Sequence, residues 1–322
     1  MTDAGFDQDR RFRLGVIIVN YRTPALVEAC LVSLGPQLES VNGACVVVDN
    51  ASGDGSFERL SAWAAASPHA GRIKIFAAPA NGGFSAGNNI GFTKINADFV
   101  LLLNSDAAAM PGALAVLLDA AEKAPDAGMF TPTIMTEAGE VLVSRFRSHS
   151  LTSEFVEGAQ TGPVTRLFPF GETPIFPDDT TSEPDWVSFS AVMIRNEAIE
   201  QAGPMDEGFF LYYEDCEYSH RITRLGYGIR FVPEAVFTHE PSSSTKLREM
   251  QGETQRLPEY YYRSRAYFFR KKYGAIGPAA ANMAWLAGRA IALLRGVAGR
   301  PAPRLCKNRY SDMWIGWRGE AS

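Results

Sequence analysis

The chain has 322 residues, 46% hydrophobic and 21% charged, with 31 Lys and Arg against 36 Asp and Glu for a formal net charge of −5. That composition excludes a disordered or fibrous chain and suffices for a sizeable core, as one large domain with an appendage or as two domains. The polar start from Met1 to Arg13 lacks the apolar stretch of a secretory signal, and Cys30, Cys45, Cys216 and Cys306 lack metal-ligand spacing, so a reduced, cytoplasmic chain is expected.

Leu14 to Asn20 reads as a buried strand, with a turn at Thr23-Pro24 and a helical segment to Leu38. Cys45 to Asp49 reads as a second strand, Phe57 to Ala66 as a helix, and Ile73 to Ala77 as a third strand. A glycine-rich loop follows at Asn81 to Gly91, then the strand Phe99 to Leu103. Pro111 to Lys123 has the Pro-first pattern of a helix start. This alternation predicts an α/β chain built on a doubly wound, largely parallel sheet flanked by helices. Glu137 to Pro184, rich in Thr, Pro, Gly and charge, reads as an irregular excursion. Trp186 to Ile194 is expected as a strand, and Glu214 to Leu225 as a helix closed by Gly226. Tyr227 to Val232 and Ala235 to His239 read as short strands, and Leu257 to Tyr273 and Pro278 to Val297 as two C-terminal helices. The expected division is a catalytic domain over 1–245 and a basic helical extension over 246–322.

The net charge hides an asymmetry. Arg263 to Arg309 holds eleven Lys or Arg and no Asp or Glu, leaving 20 basic and 36 acidic residues elsewhere. A basic segment on an acidic body suggests a polyanion or an anionic membrane. Gly274 to Gly288 is apolar except for Asn282, and Arg289 ends the run. That is shorter than the ~20 residues needed to span a bilayer. Peripheral contact with an anionic membrane, or a helical hairpin that packs on the catalytic domain or makes a homodimer, are the two expectations.

Several segments could carry chemistry. The apolar run Val100 to Leu103 ends in Asn104-Ser105-Asp106. In an open α/β sheet that end is where ligands bind, and a carboxylate there can hold a divalent cation and through it a diphosphate. Asn20-Tyr21 and Asp49-Asn50-Ala51-Ser52 end two other strands and should share that edge. Asp49 can accept the N3–H of uracil or thymine, whereas cytosine offers only an acceptor there; an Asx turn is the plainer explanation. Asn81-Gly82-Gly83-Phe84-Ser85-Ala86-Gly87-Asn88-Asn89 allows close backbone approach at a helix N-terminus, which favours an anion. Glu214-Asp215-Cys216-Glu217 places three carboxylates at a helix start, after the aromatic run Phe209 to Tyr213. His239 ends a strand beside a polar loop, a context that His69, His149 and His220 lack.

Taken in order, Val-Asn-Tyr, Asp-Asn-Ala-Ser, Asn-Gly-Gly-Phe-Ser-Ala-Gly-Asn-Asn, Asn-Ser-Asp, Glu-Asp and His resemble the family 2 glycosyltransferases of the GT-A fold, in particular the rhamnosyltransferase-like branch. The resemblance covers about Leu14 to Ser244. It implies that Asp49 binds a pyrimidine with Asn20 and Tyr21 nearby. Asn81, Gly82, Gly83 and Asn88 would lie along the ribose or diphosphate. Asn104, Ser105 and Asp106 would form the metal-binding tip, with His239 a further metal ligand. Asp215 would be the catalytic base, with Glu214 the alternative. Asn104 stands where many relatives carry a first Asp. Trp186, Phe189 and Ser190 are expected to line the sugar or acceptor pocket. The implied reaction is an inverting, Mg²⁺- or Mn²⁺-dependent transfer from a UDP- or dTDP-sugar to a hydroxyl of a glycan or lipid-linked acceptor, with no nucleic acid partner. A rhamnosyltransferase of bacterial surface polysaccharide synthesis fits that description. A nucleotidyltransferase would call for a basic glycine-rich loop near the N-terminus, which Gly15 to Arg22 is not. A non-catalytic nucleotide-sugar binding protein would differ in failing to hydrolyse donor slowly without acceptor.

Overall fold

The computed structural model describes Phe6 and residues 10–179, 181–239, 247–297 and 299–319. Strands β1 (Phe12–Asn20), β2 (Gly43–Asp49), β3 (Ile73–Ala77) and β4 (Ala97–Asn104) are parallel neighbours in the order β3-β2-β1-β4. Helices α1 (Pro24–Ser40), α2 (Ser56–Ala66) and α3 (Gly83–Lys94) make the crossovers. The central strands are continuously apolar because both faces are covered. Val16 and Ile18 pack with Leu31 and Leu34 of α1, whereas Ile17 and Leu102 face the opposite layer. Register aligns Asn20 with Asp49 and Val19 with Asn104, so the polar strand tips reach one sheet edge together.

Beyond β4 the sheet changes character. A three-residue strand, β5 (Ala107–Ala109), precedes helix α4 (Ala113–Lys123) and strand β6 (Ala127–Met135). The stretch read as irregular contains β7 (Arg145–Phe146), α5 (Leu151–Ala159), α6 (Gly162–Leu167) and β8 (Pro174–Ile175). Ser150 caps α5 in a reciprocal pair with Ser153, a helix start that the Thr-, Pro- and Gly-rich surroundings obscure. The single strand expected over Trp186 to Ile194 is broken at Ser188 to Ser190. Its first part, β9 (Trp186–Val187), pairs with β7 in a small three-stranded sheet, and its second, β10 (Ala191–Arg195), enters the main sheet. Between β4 and β6, β10 runs antiparallel to both, which makes the α/β sheet mixed.

Helices α7 (Asn196–Ala202) and α8 (Glu214–Arg224) cover that part of the sheet. The two short strands expected after them are one, β11 (Gly228–His239), irregular between Val232 and Val236. It lies parallel to β6 and antiparallel to β5 and completes the order β3-β2-β1-β4-β10-β6-β11-β5.

Helices α9 (Leu247–Gly252), α10 (Glu259–Tyr273), α11 (Gly277–Val297) and α12 (Arg309–Asp312) follow. The two long ones occupy the expected segments and pack on the body. A Cβ at Gly158 of α5 would stand 2.1 Å from the Trp285 carbonyl oxygen, and one at Gly288 2.0 Å from that of Phe155, so the α5–α11 crossing needs both glycines. Arg265 of α10 forks onto Glu154 of α5, at 3.1 and 2.6 Å, with both side chains 1% exposed. Its third nitrogen donates to Asn282 of α11, which donates to the Met313 carbonyl. Every partner of this buried pair is hydrogen-bonded, the condition under which a desolvated ion pair is tolerated. No helix among the described residues is long and apolar enough to cross a membrane.

Candidate active site

Two adjoining cavities open at the polar edge of the sheet and share Phe84, Asn104 and Leu211. The smaller, of about 280 Å³, is lined by Tyr21, Thr23, Asn50, Asn81, Gly83, Ser105, Phe210 and Tyr260. The larger, of about 490 Å³, brings together Asp106, His239, Glu214, Asp215, Trp186, Phe189 and Ser190. Residues from the sheet edge, α8 and β11 thus meet in one space.

The smaller cavity is held by side-chain amides. Asn50 donates to Asn81 Oδ1 and to the Gly83 carbonyl at 2.9 Å each, and Asn81 Oδ1 also accepts the Gly83 N–H. Asn50 Oδ1 is buried with no hydrogen-bond partner among the described residues. Gly83 sits at φ +84°, and a Cβ there would lie 2.0 Å from the Phe210 carbonyl oxygen, which accepts the Phe84 N–H. Only glycine lets the start of α3 dock on the aromatic segment before α8. The expected glycine-rich loop is therefore mostly the first turns of a helix.

Four of the predicted residues stand behind the cavities and line neither. Asn20 is fully buried; it donates to Asp49 Oδ1 at 2.7 Å and accepts from Thr23. Asp49, 3% exposed, also accepts from Ser52 Oγ at 2.6 Å and from the Ser52 N–H at 3.1 Å. Gly82 caps α3, and Asn88 donates back to the Phe84 carbonyl within the helix.

In the larger cavity His239 Nε2 lies 3.0 Å from Asp106 Oδ1, with side chains 14% and 3% exposed. The cause is register: β5 pairs His239 with Ala107, the residue after Asp106. Among the described residues no cluster of three or more His, Cys, Asp or Glu could hold a metal. One carboxylate and one imidazole instead suit a cation that brings its other ligands with it, since Mg²⁺-type sites use one or two carboxylates, waters and substrate phosphates.

The start of α8 is strained. Tyr212 and Tyr213 have φ of +71° and +68°, the left-handed region. For bulky residues this costs roughly 1–3 kcal/mol each and persists only where the surroundings impose it. Here Ser264 of α10 donates to the Leu211 carbonyl, Tyr212 packs on Tyr260 and Tyr261, and Tyr213 packs on His149, Tyr261 and Phe268. The strained turn delivers Glu214 and Asp215 side by side into the cavity. Burial raises the Asp215 carboxyl to about 7, against the pull of the Cys216 and Phe189 backbone N–H groups; Cys216 N donates to Oδ1 at 2.8 Å. Glu214 is pushed well above the ordinary carboxylate range, first by burial and then by Asp215, and its Oε2 has no partner among the described residues. Two adjacent carboxyls here do not both ionise. The proton belongs on Glu214 and the charge on Asp215.

This has a consequence for stability. Glu214 keeps a proton in the folded state at a pH where the unfolded chain has released it, so stability falls as pH rises above about 4.5, by up to about 1.4 kcal/mol per pH unit until the folded carboxyl ionises. Buried His149 and His220, both depressed to about 4 mainly by burial, act in the opposite sense and cost stability as pH falls below about 6.5. Glu214→Gln removes only the first effect. Thermal unfolding should show the variant more stable than the parent at pH 8, with the difference closing towards pH 4; a constant difference would mean that Glu214 is ionised at neutral pH.

Sequence reasoning expected Trp186 in the larger cavity but missed Phe146 and His149, which complete its aromatic wall. Phe146 stacks on Trp186 at 4.2 Å and 13°, His149 lies on Trp186 with centroids 5.5 Å apart, and Trp186 Nε1 donates to the Arg147 carbonyl. Phe146 and His149 come from the excursion and have no motif around them. The only signal was the aromatic Phe146 and His149 in a polar stretch, which pointed to no partner.

The comparisons agree with this geometry. N-acetylglucosaminyl-diphospho-decaprenol L-rhamnosyltransferase of Mycobacterium tuberculosis is 30% identical over 153 residues, 46% of this chain and 48% of its own. The low-salt glycan biosynthesis hexosyltransferase Agl10 of Haloferax volcanii is 26% identical over 217 residues, 66% of this chain and 62% of its own. The chain thus spans about half to three-fifths of the curated relatives it matches. Two solved structures share the fold: the mannosyltransferase PcManGT of Pyrobaculum calidifontis with GDP-Man and Mn²⁺ (TM-score 0.56, 15% identity, 92% of this chain and 78% of that one) and GalNAc-T7 with UDP, GalNAc and Mn²⁺ (TM-score 0.58, 14% identity, 90% and 56%). Both are glycosyltransferases, and the α/β architecture with its C-terminal helices is of the GT-A type. The model of glycosyl transferase family 2 spans residues 15–176, half of the chain and all of the strand tips from Asn20 to Asp106, and the chain belongs to that family.

Proposed function

We propose that the protein transfers a sugar, a hexose or deoxyhexose such as rhamnose, from a UDP- or dTDP-sugar to a hydroxyl of a glycan or lipid-linked acceptor, with inversion. The observation that carries this reading is the larger cavity: a carboxyl raised to about 7 at Asp215 shares it with Asp106 and His239, and Asn104 joins it to the amide-lined cavity. A base tuned near neutrality can take the acceptor's proton as its oxygen attacks the anomeric carbon. A single displacement needs the acceptor and the diphosphate on opposite sides of that carbon. Two cavities that meet at Asn104 suit such an arrangement.

The donor's nucleoside belongs in the smaller cavity, beside Tyr21 and Tyr260, with the free Asn50 Oδ1 as a buried acceptor. Asp49 stands behind this cavity with Oδ2 taking one N–H, from Ser52, so it would meet a pyrimidine N3–H only with the base seated deeper than Asn50. Asp106 and His239 would hold a divalent cation together with the diphosphate. Such an ion supplies charge neutralisation on the leaving group. Phe146, Trp186 and His149 present an apolar wall suited to the faces of sugar rings, and Ser188 and Ser190 offer hydroxyls beside it. We place this chemistry in the cytoplasm, where nucleotide sugars are made.

Calorimetry of UDP, dTDP and GDP with Mn²⁺ or Mg²⁺ present tests the donor assignment. UDP or dTDP should bind at least tenfold tighter than GDP; tighter GDP binding refutes the pyrimidine reading. Slow release of sugar from the bound donor without acceptor should accompany it, which a mere binding protein would not do.

A further inference from the structure

The outer side of α11 has no use in the reading above. Its inner side is filled by Pro278, Ala281, Asn282, Trp285, Gly288 and Ala292. Arg289, the one ionisable residue of the helix before Arg295, also turns inward, donating to the Pro303 carbonyl at 2.9 Å and to Tyr310 Oη at 3.4 Å. The side left to solvent therefore carries no charge from Gly277 to Leu294. Ile276, Met283, Leu294 and Val297 are 75%, 59%, 71% and 90% exposed, with Ala287 and Ala290 between them and Leu293 alongside at 51%. Spacings of seven, four, three, four and three residues make one stripe, about 30 Å long. A surface helix normally turns its polar side outward, whereas this one is apolar on its outer side as well.

The C-terminal end of the stripe is cationic. Arg295 and Arg300 form no ion pair among the described residues, whereas Lys271 near the other end is paired with Asp206 and Glu217. Beyond them the chain turns back to the body, where the Pro303 carbonyl accepts from Arg289 and Lys307 N donates to the Thr254 carbonyl. No Asp or Glu lies between Arg263 and Arg309. A second copy packed stripe to stripe would thus bring its own cations and no counter-charge from this segment. We propose that the outer face of α11 docks on an anionic lipid surface, Met283, Leu293, Leu294 and Val297 entering the acyl boundary while Arg295 and Arg300 lie among the headgroups. An apolar helix face with basic flanks binds an interface in this way without spanning it. This inference is independent of the donor assigned above.

Flotation of the full chain with phosphatidylcholine vesicles, with and without phosphatidylglycerol, tests it. The protein should float with the anionic vesicles at low salt and much less with the neutral ones or at high salt. R295Q/R300Q should weaken binding about fivefold per residue, or about 25-fold together. M283E/L294E changes only exposed positions and should abolish flotation while thermal unfolding and nucleotide binding stay at parental values. Absence of flotation at low salt overturns the proposal, as does flotation that neither variant alters. A dimer in sedimentation that M283E/L294E dissolves, with no vesicle binding by the parent, would assign the stripe to a second copy and overturn it equally.

Discussion

Asp215→Asn should stop transfer while leaving nucleotide affinity within a few-fold. The substitution keeps the shape of the side chain and its oxygen for the Cys216 N–H, which donates at 2.8 Å. It removes the proton acceptor. General-base catalysis is worth about 10²–10⁴-fold, so the transfer rate should fall by at least that much. In the parent, kcat/KM should decline as pH drops through about 7, because protonation of the Asp215 carboxyl removes the base. Glu214 is a poor substitute, since burial and its neighbour hold the proton on it. Transfer by Asp215→Asn at near the parental rate would move the base to another group. Initial rates with the best donor of the panel, beside calorimetry of the nucleoside diphosphate, separate loss of chemistry from loss of binding.

The second large effect is expected at Asp106. Its side chain is 3% exposed, and among the described residues the potential metal ligand beside it at the cavity edge is His239, at 3.0 Å. A site with two protein ligands cannot share the loss of one among many. Changing a residue that merely supports a ligand typically costs 10–100-fold in metal affinity, so Asp106→Ala should cost more than about 100-fold. Nucleoside diphosphate should then bind the variant equally with and without Mn²⁺, at the parent's metal-free affinity. The measurement is calorimetric and needs no turnover. A variant that keeps the parental gain in affinity from Mn²⁺ would show that the cation sits elsewhere.

Most of the first half of the sheet was legible because it is local. The apolar runs ending at Asn20, Asp49 and Asn104 are buried on both faces, so composition alone marks them as parallel strands, and their shared direction puts the tips on one edge. The turn chemistry of Asp49 to Ser52, the glycines before α3 and the acidic start of α8 are likewise written in consecutive residues. Where a motif residue does its work behind the site, as Asn20 and Asn88 do, sequence reading has no means of telling a supporting amide from a lining one.

The rest depends on pairs far apart in the chain. Ala107 to Ala109 has little strand propensity and becomes β5 only because β11 offers it an edge, yet that pairing is what sets His239 beside Asp106. The break at Ser188 to Ser190 lets Trp186 leave the main sheet and stack on Phe146, a contact across forty residues. Glu214 and Asp215 are adjacent in sequence, but their hold on a proton follows first from burial, which distant segments impose, and only then from each other. The basic, Ala-rich C-terminus suggested either packing or a surface; the fold shows α11 packed, with Asn282 and Arg289 turned in to the buried network, and leaves an uncharged stripe turned out. Sequence by itself determined the family and the sheet edge, because each rests on short-range pattern. Tertiary structure alone decided which motif residues line the cavities, how closely His239 approaches Asp106 and which face of the last long helix stays open, because each is set by what distant segments pair with or exclude from water.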